Sequence, residues 1–456
     1  MALTNSIKQN WGKLDESWRF AISAFLVARL FYAVWSWVIL TIQPIAVHYI
    51  DVNRQPAVLF LDLYTIQQNT YLRSVNGIEL NFRSASRNTV KDLQTSSTWD
   101  IHSGLALEGY FKGISLTSAP TPSNMFAYLN TKPYSNAWLG MWQRFDANWY
   151  ISIAENGYGS IEGDVHFPPL YPLLIRLTIP IFGSGFLAGL VISQLATLCA
   201  LKLLFNFFNQ WTQNTGRETV AYFLIYPTSF FLFSTYTESL FIVVALLSLR
   251  AMHKRDWAWA GFWIFCSVLL RLQGIALSTT MLYLMWKDNH FLRKMSHWAG
   301  LIASGFGLLF YFLFRSTLIT GSALPFVEPN LHARLVLPWE TYLYAVRIIF
   351  SGRANHIDIL NWSVATIFII LFITKWKKTP TEYNLYAGFT LLIILVRIVD
   401  GQPLISFSRY SLTLFPLFHY FALNGKYPVL RRLIIYTFLA LNLFLSSEFF
   451  GWGFVA

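Results

Sequence analysis

Apolar runs of membrane-spanning length decide what this chain can fold into. A bilayer's hydrocarbon core is about 30 Å thick, so a helix needs about 20 apolar residues to cross it. The first such run extends from Phe20 to Thr41, and others follow throughout the 456 residues. Backbone N–H and C=O groups find no water in lipid, so segments of this kind must satisfy one another as helices. Only 12% of the residues are charged, against about 25% in soluble domains. The first run is too long for a secretory signal core, and no small-residue cleavage pattern follows it. The fold expected is therefore an all-α polytopic membrane protein with roughly 11 transmembrane helices.

The net charge of +12 would suit a nucleic-acid partner, but its placement argues otherwise. Lys and Arg gather in short connectors between apolar runs: Arg250, Lys254 and Arg255; Lys287, Arg293 and Lys294; Lys375, Lys377 and Lys378; Lys426, Arg431 and Arg432. This is the positive-inside pattern, with attraction to anionic lipid heads, so the bilayer is the expected partner and nucleic acid is not. The connectors put the N-terminal segment in the cytoplasm and the C-terminus outside. The whole chain, 1–456, reads as one integral membrane domain: an external loop insertion over 43–166 and a multi-helix bundle over 167–456. Within the loop, "YLRSVNGIELNF" reads as a small β-hairpin turning at Asn76–Gly77. The apolar run from Phe167 to Phe208 is broken by prolines and Gly183; its first part, to Pro180, reads as a re-entrant or interfacial piece. "GSGFLAG", Gly183 to Gly189, reads as a helix break and packing signal. Cys199 and Cys266 lie in apolar runs and support neither a disulfide nor a metal site.

One acid stands where solvation would not put it. In "WQRFDANWYISIAENGYG", read as an amphipathic helix, Trp138, Trp142, Phe145, Trp149 and Ile153 share one side. Arg144, Asn148, Ser152 and Glu155 share the other, and Asp146 falls inside the aromatic stripe. Asp146 is either a helix N-cap or a functional carboxylate. With the topology above, other polar residues reach the same outer face: His166; Tyr236, Thr237 and Glu238; Arg271 and Gln273; Asp400, Gln402, Arg409 and Tyr410. Each has a plainer reading. Thr235-x-x-Glu238 matches a capping box, Arg409 beside Tyr410 suits interfacial snorkelling, and His166 suits a hydrogen-bonded loop. Arg271 either pairs with an acid such as Glu238 or binds an anion.

Two blocks carry a resemblance. Trp142-x-Arg144-Phe145-Asp146-Ala147, Ala154-x-x-Gly157-Tyr158 and Phe167-x-Pro169-Leu170-Tyr171-Pro172-Leu173 form the first. Pro227-Thr228-Ser229 with Tyr236-Thr237-Glu238-Ser239-Leu240-Phe241 forms the second. In this order they resemble the PIG-V-like mannosyltransferase family, which includes GPI mannosyltransferase II and prokaryotic relatives within the GT-C superfamily. The resemblance runs from about Trp138 to Gly274, with Arg409-Tyr410 a fainter late match. Thr237 stands where the family usually has Ser, and the loop before Asn136 is long. The resemblance implies a GT-C-like bundle and a membrane glycosyltransferase. Such an enzyme moves a hexose, mannose in the family, from a polyprenyl- or dolichyl-phosphate sugar to a hydroxyl of a glycolipid or glycan on the external or lumenal face. It implies an inverting in-line displacement with Asp146 as general base. Arg144, His166, Tyr236, Glu238, Arg271, Gln273, Arg409 and Tyr410 would bind substrate or phosphate.

A base of this kind contributes about 10²–10⁴-fold, and cations such as Arg271 or Arg409 would stabilise the departing phosphate. No cofactor is expected, and no ligand cluster supports a divalent cation. The alternative is a polytopic lipid or solute transporter or flippase, which would show paired broken helices in two repeats. Only Asn361-Trp362-Ser363 forms a sequon, which favours a bacterial plasma membrane over the endoplasmic reticulum.

Overall fold

The computed structural model describes residues 14–42, short strands between 45 and 118, and 129–455 apart from 130, 133, 135, 161–162, 213, 289–291, 319–332, 353, 400–403, 425–426 and 452–454. It is predominantly helical. In chain order the longer helices are α1 (Glu16–Ile42), α2 (Asp146–Asn156), α3 (Leu170–Phe182), α4 (Gly185–Trp211), α5 (Gly216–Ile225), α6 (Glu238–His253), α7 (Trp257–Leu270), α8 (Ala276–Lys287), α9 (Met295–Leu318), α10 (Pro338–Phe350), α11 (His356–Lys375), α12 (Thr381–Leu395), α13 (Phe415–Asn424) and α14 (Pro428–Phe450). Among the described residues, five helices are long and apolar enough to cross a membrane: α1, α4, α9, α11 and α14.

The chain divides into two compact units. The smaller comprises Phe31–Asn148 and Ser446–Phe454. In it Ile45–Ile50 pairs antiparallel with Pro56–Leu61, and Ile78–Ala85 with Ala106–Tyr110. The Asn76–Gly77 turn of the expected hairpin lies outside the described residues.

The larger unit, Met1–Leu30, Trp149–Leu445 and Val455–Ala456, is a helical bundle. Its elements begin and end where local chemistry dictates. Gly183 adopts φ 77°, a conformation that costs glycine little, and its N–H bonds Ile179 O to close α3. Ser184 then caps α4 by accepting from Leu187 N at 3.2 Å. The apolar run Phe167 to Phe208 is thus two helices. At 13 residues, α3 rises about 20 Å, short of a crossing.

Small residues let α7 and α9 touch backbone to backbone. A Cβ built on Gly261 would lie 2.3 Å from Gly300 O, and one on Gly300 would lie 2.5 Å from Trp257 O. One on Gly307 would meet Phe265 Cα at 2.9 Å. Lipid supplies no hydrophobic drive between helices, so contacts this close supply the packing instead.

The stretch around Asp146 departs from the expected amphipathic helix. A single turn, Ala137–Gly140, is followed by an irregular link, and α2 begins only at Asp146. The break falls at Phe145, whose φ of 45° is left-handed, strained for a bulky aromatic residue. The supposed polar side is not a solvent face either. Arg144, Asn148 and Ser152 are buried, and only Glu155 is exposed. Asn148 Oδ1 accepts from Thr131 Oγ1 at 2.8 Å and from Gln143 Nε2 at 3.1 Å.

Candidate functional site

Within the larger unit, three interruptions of helical structure carry charged or aromatic residues to one place. The first is the link 226–237 between α5 and α6. Every residue in it is buried, although it reads in sequence as a short outer link. Buried irregular backbone must find partners, and α4 supplies them. Ser193 Oγ donates to Tyr236 O at 3.0 Å, Gln194 Nε2 to Phe233 O at 2.6 Å and Thr197 Oγ1 to Leu232 O at 2.5 Å. The second interruption, Leu272–Ile275, is a tight turn after α7. It requires glycine at 274, where a Cβ would sit 2.4 Å from Ser267 Oγ. The third precedes α13 and includes the short helix Phe407–Tyr410. It is entered through Leu404 and Ser406, both left-handed at φ 56° and 60°. It is tied to the first by Tyr226 Oη with Ser411 Oγ, 2.6 Å, and Thr228 Oγ1 to Ser408 O, 2.8 Å.

At the meeting point lies a buried charge cluster. Glu238 is the first residue of α6, with Thr237 before it and no side-chain cap. The Thr235-x-x-Glu238 capping box therefore does not form, and the carboxylate turns to guanidinium groups instead. Glu238 Oε1 pairs with Arg271 Nη1 and lies 3.5 Å from Arg409 Nε. Arg271 Nη1 also donates to Thr237 Oγ1 at 3.3 Å. Arg271 Nη1 is that residue's one engaged donor among the described residues. The second carboxylate oxygen, Glu238 Oε2, is buried and carries no hydrogen bond among them.

Aromatic faces enclose the cations. Arg271 Cζ lies 4.8 Å from the centre of the Tyr410 ring, and Arg409 Cζ lies 5.2 to 5.4 Å from Tyr410, Tyr236 and Phe231. Such contacts stabilise a guanidinium deprived of water. Glu238 is 1% exposed and Arg271 8%, so this acid contacts both cations with little solvent between them. Taking ions from water costs several kcal/mol each, repaid only by close partners.

The remaining expected residues are placed as follows. Tyr236 and Tyr410 line the cluster, and Gln273 is half-buried on the turn that carries Arg271. His166 ends the one-turn helix Asp164–His166, half-buried, its N–H bonding Gly163 O at 3.2 Å. In the same loop Asp164 accepts from Gly159 N at 2.7 Å. Burial, with the Asp164 carboxylate adding to it, pushes the Tyr158 phenol up.

In the smaller unit Asp146 is half-buried at the first position of α2. Arg144 is buried and donates to main-chain carbonyls: Nε to Phe450 O at 3.1 Å, Nη1 to Gly140 O at 3.0 Å and to Gln143 O at 3.3 Å. Phe450 ends α14, so Arg144 satisfies a helix-terminal carbonyl. Asp400 and Gln402 lie outside the described residues.

Thr237, grouped with Tyr236 and Glu238 by the sequence, does lie at the cluster, whereas reading the sequence missed Phe231, Tyr150 and the polar group on α4. Tyr150 lies close enough to Arg271 to interact electrostatically. The α4 group had a signal: Ser193, Gln194 and Thr197 lie close together in the apolar first half of the helix. Among the described residues, no group of three or more His, Cys, Asp or Glu could hold a metal ion. No protein-family model, curated protein or solved structure matches the chain.

Proposed function

We propose that this chain is a membrane glycosyltransferase of the kind its motifs resemble. It moves a hexose, mannose by that resemblance, from a polyprenyl- or dolichyl-phosphate sugar to a hydroxyl of a glycolipid or glycan. The observation that carries the reading is the Glu238–Arg271–Arg409 cluster: two buried guanidinium groups, one with donors to spare, where an anionic phosphate would be held. By the motif resemblance alone, the acceptor oxygen attacks the anomeric carbon in line, with inversion, and Asp146 takes its proton. Roughly 11 crossings, an external first loop with its hairpin, and a bacterial plasma membrane complete the proposal.

Purified protein in lipid nanodiscs, given radiolabelled polyprenyl-phosphate mannose and membrane extract, tests it. Wild type transfers label, and Asp146→Asn loses about 10²-fold or more while unfolding at the same temperature. Unchanged transfer by Asp146→Asn removes that residue from the chemistry.

The helix interruptions around buried charge also favour a second reading, since transporters hold substrates at broken helices. Proteoliposomes that move a labelled lipid phosphate across the bilayer, with no transfer in nanodiscs, would establish that reading in place of the first.

A further inference from the structure

The cluster contains a residue whose presence a simple phosphate site does not explain. Two guanidinium groups would hold an anion more strongly without an acid between them. Yet Glu238 sits at their junction, 1% exposed, with Oε1 on both cations and Oε2 unbonded among the described residues. Capping does not account for it, because no side-chain cap forms at the start of α6. An apolar residue there would leave buried guanidinium groups without this acid, so Glu238 serves as their counter-ion and must also share the place with any anion that binds them.

We infer that Glu238 is a specificity-determining residue that lowers the charge of the anion site by one unit, so that it favours phosphodiester monoanions over phosphomonoester dianions. This rests on the transferase reading for its biological meaning but not for its physics. Arg271 keeps Nε and Nη2 for an incoming phosphate oxygen while Nη1 remains on Glu238. An anion placed there lies close to Glu238 and feels its charge with little water between them. Each added negative charge on the ligand is attracted by the cations but repelled by Glu238, and that repulsion grows with ligand charge.

The consequence for turnover is direct. A lipid-phosphate sugar is a phosphodiester with one negative charge. In transfer, a bond forms between the acceptor oxygen and the anomeric carbon. The bond from that carbon to the phosphate oxygen breaks, its electron pair staying on the oxygen, and the hydroxyl proton passes to the general base of the proposed transfer. The monoanionic diester thereby becomes a monoester dianion. Glu238 tolerates the donor and disfavours the product, so it promotes release of the spent lipid phosphate.

Binding of two simple amphiphiles to the full chain in nanodiscs tests this without any sugar transfer. The probes are a dialkyl phosphate, a monoanion, and a monoalkyl phosphate, mostly a dianion at pH 8. Wild type is expected to prefer the dialkyl probe, Glu238→Asp to keep the preference, and Glu238→Gln to shift the ratio towards the monoalkyl probe by at least about tenfold. If Glu238→Gln does not fold, the wild-type ratio decides: preference for the dianion overturns the inference. An unchanged ratio in folded Glu238→Gln also overturns it, and so does wild type that binds neither probe. In these cases the radiolabel transfer assay still judges the transferase reading separately.

Discussion

Replacing Gly261 by alanine should damage both stability and the site, by an amount the packing of α7 on α9 sets. The new Cβ would lie 2.3 Å from Gly300 O and 2.7 Å from Gly300 Cα. Ordinary contact begins near 3.4 Å, so the helices must part by about 3.4 − 2.3 = 1.1 Å locally. Both obstructing atoms are backbone, and no rotamer change relieves them. Overpacking of this kind costs about 1–3 kcal/mol, and rigid partners place it at the upper end. Gly305 is the internal control. It lies on the same helix as Gly300, is exposed, and a Cβ there meets nothing within 4 Å. Gly305→Ala should be neutral or stabilising by about 0.5–1 kcal/mol through the entropy of the unfolded chain. Thermal unfolding of both variants in one detergent or nanodisc preparation reads the difference. Arg271 follows directly on α7, so a displacement near 1 Å also reaches the cation. Anion binding and transfer should fall by up to about 10²-fold in Gly261→Ala at temperatures where it remains folded. Gly261→Ala as stable as wild type, or Gly305→Ala falling equally far, would refute the close-contact argument.

Three further outcomes follow from single side chains. Arg271→Gln leaves the Glu238 carboxylate with Arg409 at 3.5 Å as its described cation; unfolding should register a loss of about 3 kcal/mol, and the Glu238→Gln/Arg271→Gln double variant should lose less than the sum of the singles. Ser193→Ala removes the hydroxyl that bonds Tyr236 O and Tyr171 Oη; a loss of about 1–3 kcal/mol is expected by the same measurement, against none for the exposed Ser160→Ala. Ser406 sits at φ 60°, so Ser406→Gly should be neutral or stabilising by up to about 1 kcal/mol, while Ser406→Val should destabilise and weaken anion binding through Arg409.

How much of this was legible in the sequence depends on the range of the interactions involved. The Phe167 to Phe208 run was expected to break near Gly183, and it does, because an αL glycine followed by a capping serine is decided within a few residues. The pairing of Arg271 with Glu238 was one of two fates open to that arginine. Ionisable groups inside apolar sequence have few partners to choose from. The stretch around Asp146 was misjudged because periodicity alone ignores backbone strain. Phe145 in a left-handed conformation cuts the pattern, and long-range polar contacts bury the side that looked solvated. Burial of the 226–237 link was equally hidden. Its carbonyls are satisfied by side chains on α4 some forty residues earlier: the Ser193–Tyr236 bond spans 43 positions.

That last contact explains why the charged residues and the irregular backbone occur together. A continuous helix satisfies its own interior backbone groups and offers an anion nothing but side chains. An interrupted one exposes its first N–H groups and can aim a residue off the helix axis, but the interruption needs polar partners when lipid or protein surrounds it. Here Ser193, Gln194 and Thr197 meet that need for the 226–237 link. Glu238 can therefore begin a helix in a dry place beside Arg271 and Arg409. If these α4 side chains hold the link, Gln194→Leu should impair anion binding without touching a charged group. Folded Gln194→Leu with wild-type affinity for the dialkyl phosphate would show that the link needs no such support.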